Sequence, residues 1–141
     1  MTDLEKAKDI LAQGHSVVAI NGETSYISDG KGISPLIQLI SNGVSLEGFS
    51  VADKIVGKAA AMLFVKLKVK ELYAEVLSDA GENILKKHKI QYNFNIKTDK
   101  IINRTGDDIC PMERCVKDID DIEQAYQALK IQLEKLKNKW F

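Results

Sequence analysis

Cysteine is scarce. Cys110 and Cys115 are the only two in 141 residues, too few for the disulfide framework that staples small secreted domains. Histidine is as rare, with only His15 and His88. The longest apolar stretch, around Ala59 to Val65, falls far short of the roughly 20 residues a membrane-spanning helix needs. Neither sign of charge is in excess. Twenty basic residues balance twenty acidic ones, which leaves no global field to favour nucleic acid or an anionic membrane. Local groups such as Lys86-Lys87 and Lys135 with Lys137 read as solvated helix faces. No Pro/Gly/Ser-rich linker, low-complexity tract or internal repeat divides the chain, and no signal peptide precedes the first helical segment. A reducing, cytoplasmic setting is therefore expected.

Apolar residues make up 45% and charged residues 28%, the range of an ordinary globular chain able to bury a core. One domain over 1–141 is expected. Thr2-Asp-Leu-Glu5 has the capping-box pattern, and Leu4, Ala7, Ile10 and Leu11 then recur at helical spacing, with Gly14 placed to end the helix. Ser16 to Ile20 and Glu23 to Ser28 flank Asn21-Gly22, a pair suited to a tight hairpin turn. Ser34 is expected to cap a short helix with Pro35 at its first position and Asn42-Gly43 at its end.

A longer helix is expected from Asp53, carrying Val56, Ala59, Ala60, Leu63 and Leu67 on one face. Gly57 would lie inside it at a cost of about 1 kcal/mol, offset by close packing or a ligand contact. Glu71 to Leu77 reads as a buried strand, Asp79 to Lys87 as a helix and Gln91 to Asn95 as a strand, together a parallel crossover unit. Lys100 to Asn103 is a candidate further strand. From Pro111, Met112, Cys115, Ile119, Ile122, Tyr126, Leu129, Leu133, Leu136 and Trp140 alternate spacings of three and four. That stripe predicts one long amphipathic helix over about 111–140, packed on the sheet or shared in a homodimer. Asp118 offers an alternative cap that would split it.

Helix, hairpin, helix, strand, helix, strand is also the layout of the cytidine-deaminase-like fold. With Ala52-Asp-Lys-Ile-Val-Gly-Lys-Ala-Ala-Ala61, Ile102-Asn-Arg104 and Cys110-Pro-Met-Glu113, the chain resembles a family of small bacterial domains of unknown function. The resemblance runs from the first helix to about Val116. It implies an α/β three-layer sandwich with a mixed sheet and without the usual deaminase metal. True deaminases hold zinc with a His or Cys before Ala-Glu at one helix start and Pro-Cys-x-x-Cys at the next. Here the corresponding stretches read Gly57-Lys58-Ala59 and Ser78-Asp79-Ala80-Gly81, and no shift of register restores the ligands. Cys110 and Cys115 are separated by four residues and would point apart on one helix. No metal and no cofactor are expected.

Several residues are candidates for chemistry. Cys110, just before Pro111, is placed at a helix start, where first-turn amides stabilise a thiolate; the alternative is a buried, inert cysteine. Glu113 is either an acid or base, or a cap on backbone donors. Lys58 either faces the pocket that zinc occupies in deaminases, as an anion-binding or Schiff-base amine, or snorkels to the surface. Arg104 is a candidate phosphate or carboxylate ligand, and Asp53, Ser78 and Asp79 lie near element ends facing the same pocket. Cys115 belongs to the apolar stripe and is expected to pack inward. No Walker loop, dinucleotide fingerprint or nucleophile elbow is present. Three readings follow: a binding module that takes an unidentified small molecule in the ancestral deaminase pocket, an enzyme or sulfur carrier using Cys110 with Glu113 and Lys58, and a structural dimerisation module.

Overall fold

The computed structural model describes residues 1–102, 106 and 108–138, the last by its backbone alone. Helix α1 (Asp3–Leu11) starts at the expected capping box: Thr2 accepts from the Glu5 amide at 3.1 Å and the Glu5 carboxylate accepts from the Thr2 amide at 3.4 Å. Strands β1 (Val17–Asn21) and β2 (Thr24–Ser28) form the hairpin, but Asn21 pairs with Thr24. The loop is therefore Gly22-Glu23, one residue later than expected. Positive φ at Gly22 (+61°) and not at Glu23 matches a type II′ turn, in which glycine leads. Helix α2 (Ser34–Ser41) has Pro35 in its first turn, but its N-cap is Ile33 and no side chain caps it. Ser34 is thus a helical residue and not the cap.

The largest departure lies at 50–57. This stretch is strand β3 (Ser50–Val56), followed by α3 (Lys58–Leu67) with Gly57 as N-cap in extended backbone. Asp53 therefore belongs to a strand, and Gly57 lies outside the helix. The helical spacing of Val56 with Ala59 and Leu63 was coincidental at its first member. What decides the conformation is non-local pairing: β3 lies between β1, antiparallel, and β4 (Glu71–Ser78), parallel, so both edges of its backbone are satisfied.

Helix α4 (Asp79–Lys87) and strand β5 (Gln91–Thr98) complete the expected parallel crossover. The five-stranded mixed sheet runs β2-β1-β3-β4-β5. Ala7 and Leu11 of α1 pack with Val18, Ile20 and Ala52 as one core cluster. The larger cluster brings α2, α3, α4 and the C-terminal helices together with Val51, Leu72 and Leu77 of the sheet. At its centre is α3, whose Ala59 to Phe64 and Leu67 are all buried. The run of alanines fits this position, because small side chains let a helix approach its neighbours closely.

The C-terminal stripe is two helices, α5 (Pro111–Val116) and α6 (Ile122–Asn138), and not one helix over 111–140. The cap of α6 is Asp121, whose carboxylate accepts from the Gln124 amide at 2.8 Å; Asp118 does not fill that role. Leu129 and Tyr126 are buried, while Leu133 and Leu136 are half-buried. Full burial of a side chain such as Leu129 contributes about 1.5–3 kcal/mol. Tyr126 also meets Ser41 Oγ through its hydroxyl at 2.9 Å, tying α6 to α2. Trp140 lies outside the described residues. In place of a strand at Lys100 to Asn103 there is an isolated bridge between Ile102 and Ile109, and Asn103 is outside the described residues.

Candidate functional site

Helices α3 and α4 begin next to each other, at the carboxyl ends of the parallel strands β3 and β4. Ser78 caps α4, its hydroxyl accepting from the Gly81 amide at 3.0 Å. A Cβ on Gly81 would stand 3.0 Å from the carbonyl carbon and oxygen of Gly57, so glycine is what lets the two helix starts touch. The start of α3 has neither a capping side chain at Gly57 nor an acid in its first turn. Orphan amides at a helix N-terminus require an acceptor, and here it comes from 55 residues away. The Glu113 carboxylate on α5 accepts from the Lys58 amide at 2.7 Å and from the Ala59 amide at 2.8 Å. A Cβ on Gly57 would overlap that carboxylate.

Lys58 completes the exchange. Its ammonium donates to the carbonyl of Lys117, the C-cap of α5, at 3.1 Å and lies 3.8 Å from Asp120. Glu113 thus holds the positive end of α3 while Lys58 holds the negative end of α5, each arrangement favoured by the helix dipole. Burial raises the Glu113 carboxyl above the usual range, partly offset by the Ala59 and Lys58 amides and then by the Lys58 charge.

The remaining candidates are placed separately. Asp53 sits on β3 between Val17 of β1 and Ala74 of β4. Burial pushes its carboxyl up to about 7, against the opposing pull of the Ile55 and Lys54 amides. Among the described residues no hydrogen bond or ion pair joins it to Lys58, Glu113 or Cys110. Asp79 pairs with Lys97 of β5 at 3.0 Å, and Lys97 also reaches Glu82 at 2.6 Å. Cys110 is the N-cap of α5, half-buried, with no cap hydrogen bond from its thiol. Cys115 is half-buried as well, and burial raises its thiol; both cysteines pack against the large core cluster. Arg104 lies outside the described residues. Sequence reasoning singled out Lys58, Glu113 and Ser78 but missed that the first two cap each other's helices. The available signal was Gly57 itself, a helix start with no acceptor of its own.

Among the described residues no three or more His, Cys, Asp or Glu side chains stand together as a metal site would require. Two concave regions lie elsewhere. One, of about 440 Å³, opens between α1 and the sheet, where Lys8, Leu11 and Ala12 face Lys54, Tyr73 and Glu75. The Tyr73 hydroxyl donates to Glu75 at 2.7 Å, Asn95 donates to the same carboxylate at 2.6 Å, and the Lys8 ammonium lies 4.4 Å from the Tyr73 ring centre. Burial, followed by Glu75, pushes the Tyr73 phenol up to about 12. The other, of about 370 Å³, lies at the opposite end of the sheet, beside Lys68, Lys70, His88 and Lys89. Neither is lined by Lys58, Glu113 or Cys110. No helix is long and apolar enough to cross a membrane, among the described residues.

A family model described as "TM1506: Domain of unknown function (DUF1893)" matches residues 6–133. The fold is also similar to the crystal structure of a DUF1893 family protein (TM1506) from Thermotoga maritima, with 28% identity and a TM-score of 0.82. That similarity covers 96% of this chain and 91% of the other. No curated protein is a significant match.

Proposed function

We propose, from the premise that this chain belongs to the DUF1893 family of unknown function, that it is a non-catalytic small-molecule-binding module on a cytidine-deaminase-like frame. The antiparallel hairpin leading into parallel crossovers, with two helix starts side by side, supports the deaminase-like reading. The groups that would carry chemistry there are engaged in holding helices: Glu113 at the start of α3, Lys58 at the end of α5. Binding is therefore assigned to the cleft between α1 and the sheet.

One observation carries this assignment. The cleft, at about 440 Å³, is within the size range of small-molecule sites, and it combines an aromatic wall with a few convergent polar groups. Tyr73 supplies the ring, and Lys8 and Lys54 supply positive charge on either side. Lys54 has no ion pair among the described residues. A planar or aromatic carboxylate fits this combination with its ring taking the place of the Lys8 ammonium over Tyr73 and its charge toward Lys54 and Lys8, away from Asp9 and Glu75 on the same lining.

Benzoate is a suitable probe. Titrated into the isotopically labelled protein, it is expected to give saturable amide shifts at residues 8–14, 54 and 73–75. Tyr73→Ala and Lys54→Glu should each remove them. Absence of saturable shifts, or shifts centred on Lys58 and Cys110, would overturn the assignment.

A further inference from the structure

Strand β5 closes one side of the sheet and, among the described residues, is paired only with β4. It is eight residues long, Gln91 to Thr98, and contains neither proline nor glycine. Edges of this kind are usually blunted by charge, proline or a bulge, because an open row of amides and carbonyls templates another strand. The one charged side chain on β5, Lys97, is drawn back onto α4 by Glu82 and Asp79 at 2.6 and 3.0 Å. Phe94 and Ile96 remain 40% and 52% exposed.

We infer that β5 pairs antiparallel with β5 of a second copy of this chain, about a two-fold axis through Phe94. The sequence around the edge is self-complementary in that one register. With Phe94 opposite itself, Asn93 faces Asn95, Tyr92 faces Ile96 and Gln91 faces Lys97. Beyond the strand ends, Lys89 comes opposite Asp99, twice by symmetry. Aromatic with β-branched and opposite-charge pairs are the favourable cross-strand combinations. Lys89 and Asp99 are both exposed, and neither has an ion pair among the described residues. Neighbouring registers lose the pairing of Lys89 with Asp99, and two of them add a like-charge clash. A shift by one residue toward the C-terminus sets Lys89 against Lys100, and a shift by two the other way sets it against Lys97. The occupant of this edge is thus a strand with the charge order of β5 itself, and the pairing joins two sheets into one.

Two measurements on the full chain test the inference. Sedimentation should show a reversible dimer, with Lys89→Asp or Asp99→Lys weakening it by about tenfold and the double charge swap restoring it. Opposed residues of antiparallel strands lie about 4.5–5.5 Å apart at Cα, within disulfide reach. In a Cys110→Ser, Cys115→Ser background, Phe94→Cys should therefore give a covalent dimer on air oxidation, and Ile27→Cys, on the other edge strand, should not. A strictly monomeric chain, a charge swap that fails to restore association, or cross-linking through Ile27→Cys in place of Phe94→Cys would each overturn it.

Discussion

Asp53 is the residue whose surroundings least suit its charge. It sits on a central strand between Val17 and Ala74, and burial lifts its carboxyl from the ordinary 3.8 to about 7. A carboxyl raised on folding binds its proton more tightly in the native state. Its contribution is fully present below about pH 4 and is lost as pH rises through about 7. Asp53→Asn keeps the shape and removes the charge, so the variant should match the wild type near pH 4, gain on it progressively between pH 4 and 7, and exceed it by about 1–4 kcal/mol at pH 8. Urea midpoints across that range check this, and the difference between the two proteins cancels every contribution they share. An Asp53→Asn variant destabilised equally at both pH values would show that the carboxylate is instead held by partners. Gly57 poses a different single-residue question. A methyl group there meets the Glu113 carboxylate, so Gly57→Ala and Glu113→Ala should each cost about 1–3 kcal/mol. Their double variant should cost less than the sum, since removing the carboxylate clears the closer of two clashes and leaves only Ile101, 2.8 Å away, to shift. Strict additivity in a denaturation cycle would refute the contact.

The helices at either end of the chain show how local signals succeed and where they stop. The capping box at Thr2 and the crossover from Glu71 to Asn95 were legible because each is specified within a few residues of itself. The C-terminal stripe was legible as an apolar face but not as two helices, because spacings of three and four continue across the break at 117–121. Asp118 and Asp121 are both plausible caps by composition, and only the geometry selects Asp121. Replacing Asp121 by alanine should therefore cost about 0.5–2 kcal/mol, while Asp118→Ala should leave stability within about 0.5 kcal/mol. Thermal denaturation of the two variants separates them, and a reversed order would place the start of α6 elsewhere. Strand β3 was missed for a related reason. Its residues Ser50 to Val56 gain their conformation from β1 and β4 on either side, and neither partner is adjacent in sequence.

At the scale of the whole molecule, the candidate site was half legible. Lys58, Glu113 and Ser78 were identified as residues near one junction, but the partner of each could only come from the tertiary fold. Glu113 reads as a cap of its own helix by spacing, and the structure sets it on α3 instead. This exchange also bears on metal binding. In the deaminase arrangement, two helix starts present ligands toward a shared ion. In this chain α3 begins Gly57-Lys58-Ala59 and α4 begins Asp79-Ala80-Gly81, residue types that leave thiolate and imidazole out of both first turns. The space between them is taken up by the chain itself, with Gly81 against Gly57 and the Glu113 carboxylate against the first amides of α3. The half-buried Glu113 carboxylate gives one lone pair on each oxygen to an amide, and among the described residues no group of three or more His, Cys, Asp or Glu side chains stands with it to complete a metal site. The protein purified without chelator should thus contain well under one zinc per chain by elemental analysis. EDTA should leave its melting temperature unchanged, since a metal that bound only the native state would stabilise it by mass action. Incubation with cytidine, deoxycytidine or adenosine should release no ammonia. About one zinc per chain surviving dialysis, together with a melting temperature lowered by EDTA, would mean that other ligands converge on a site these helix starts do not form.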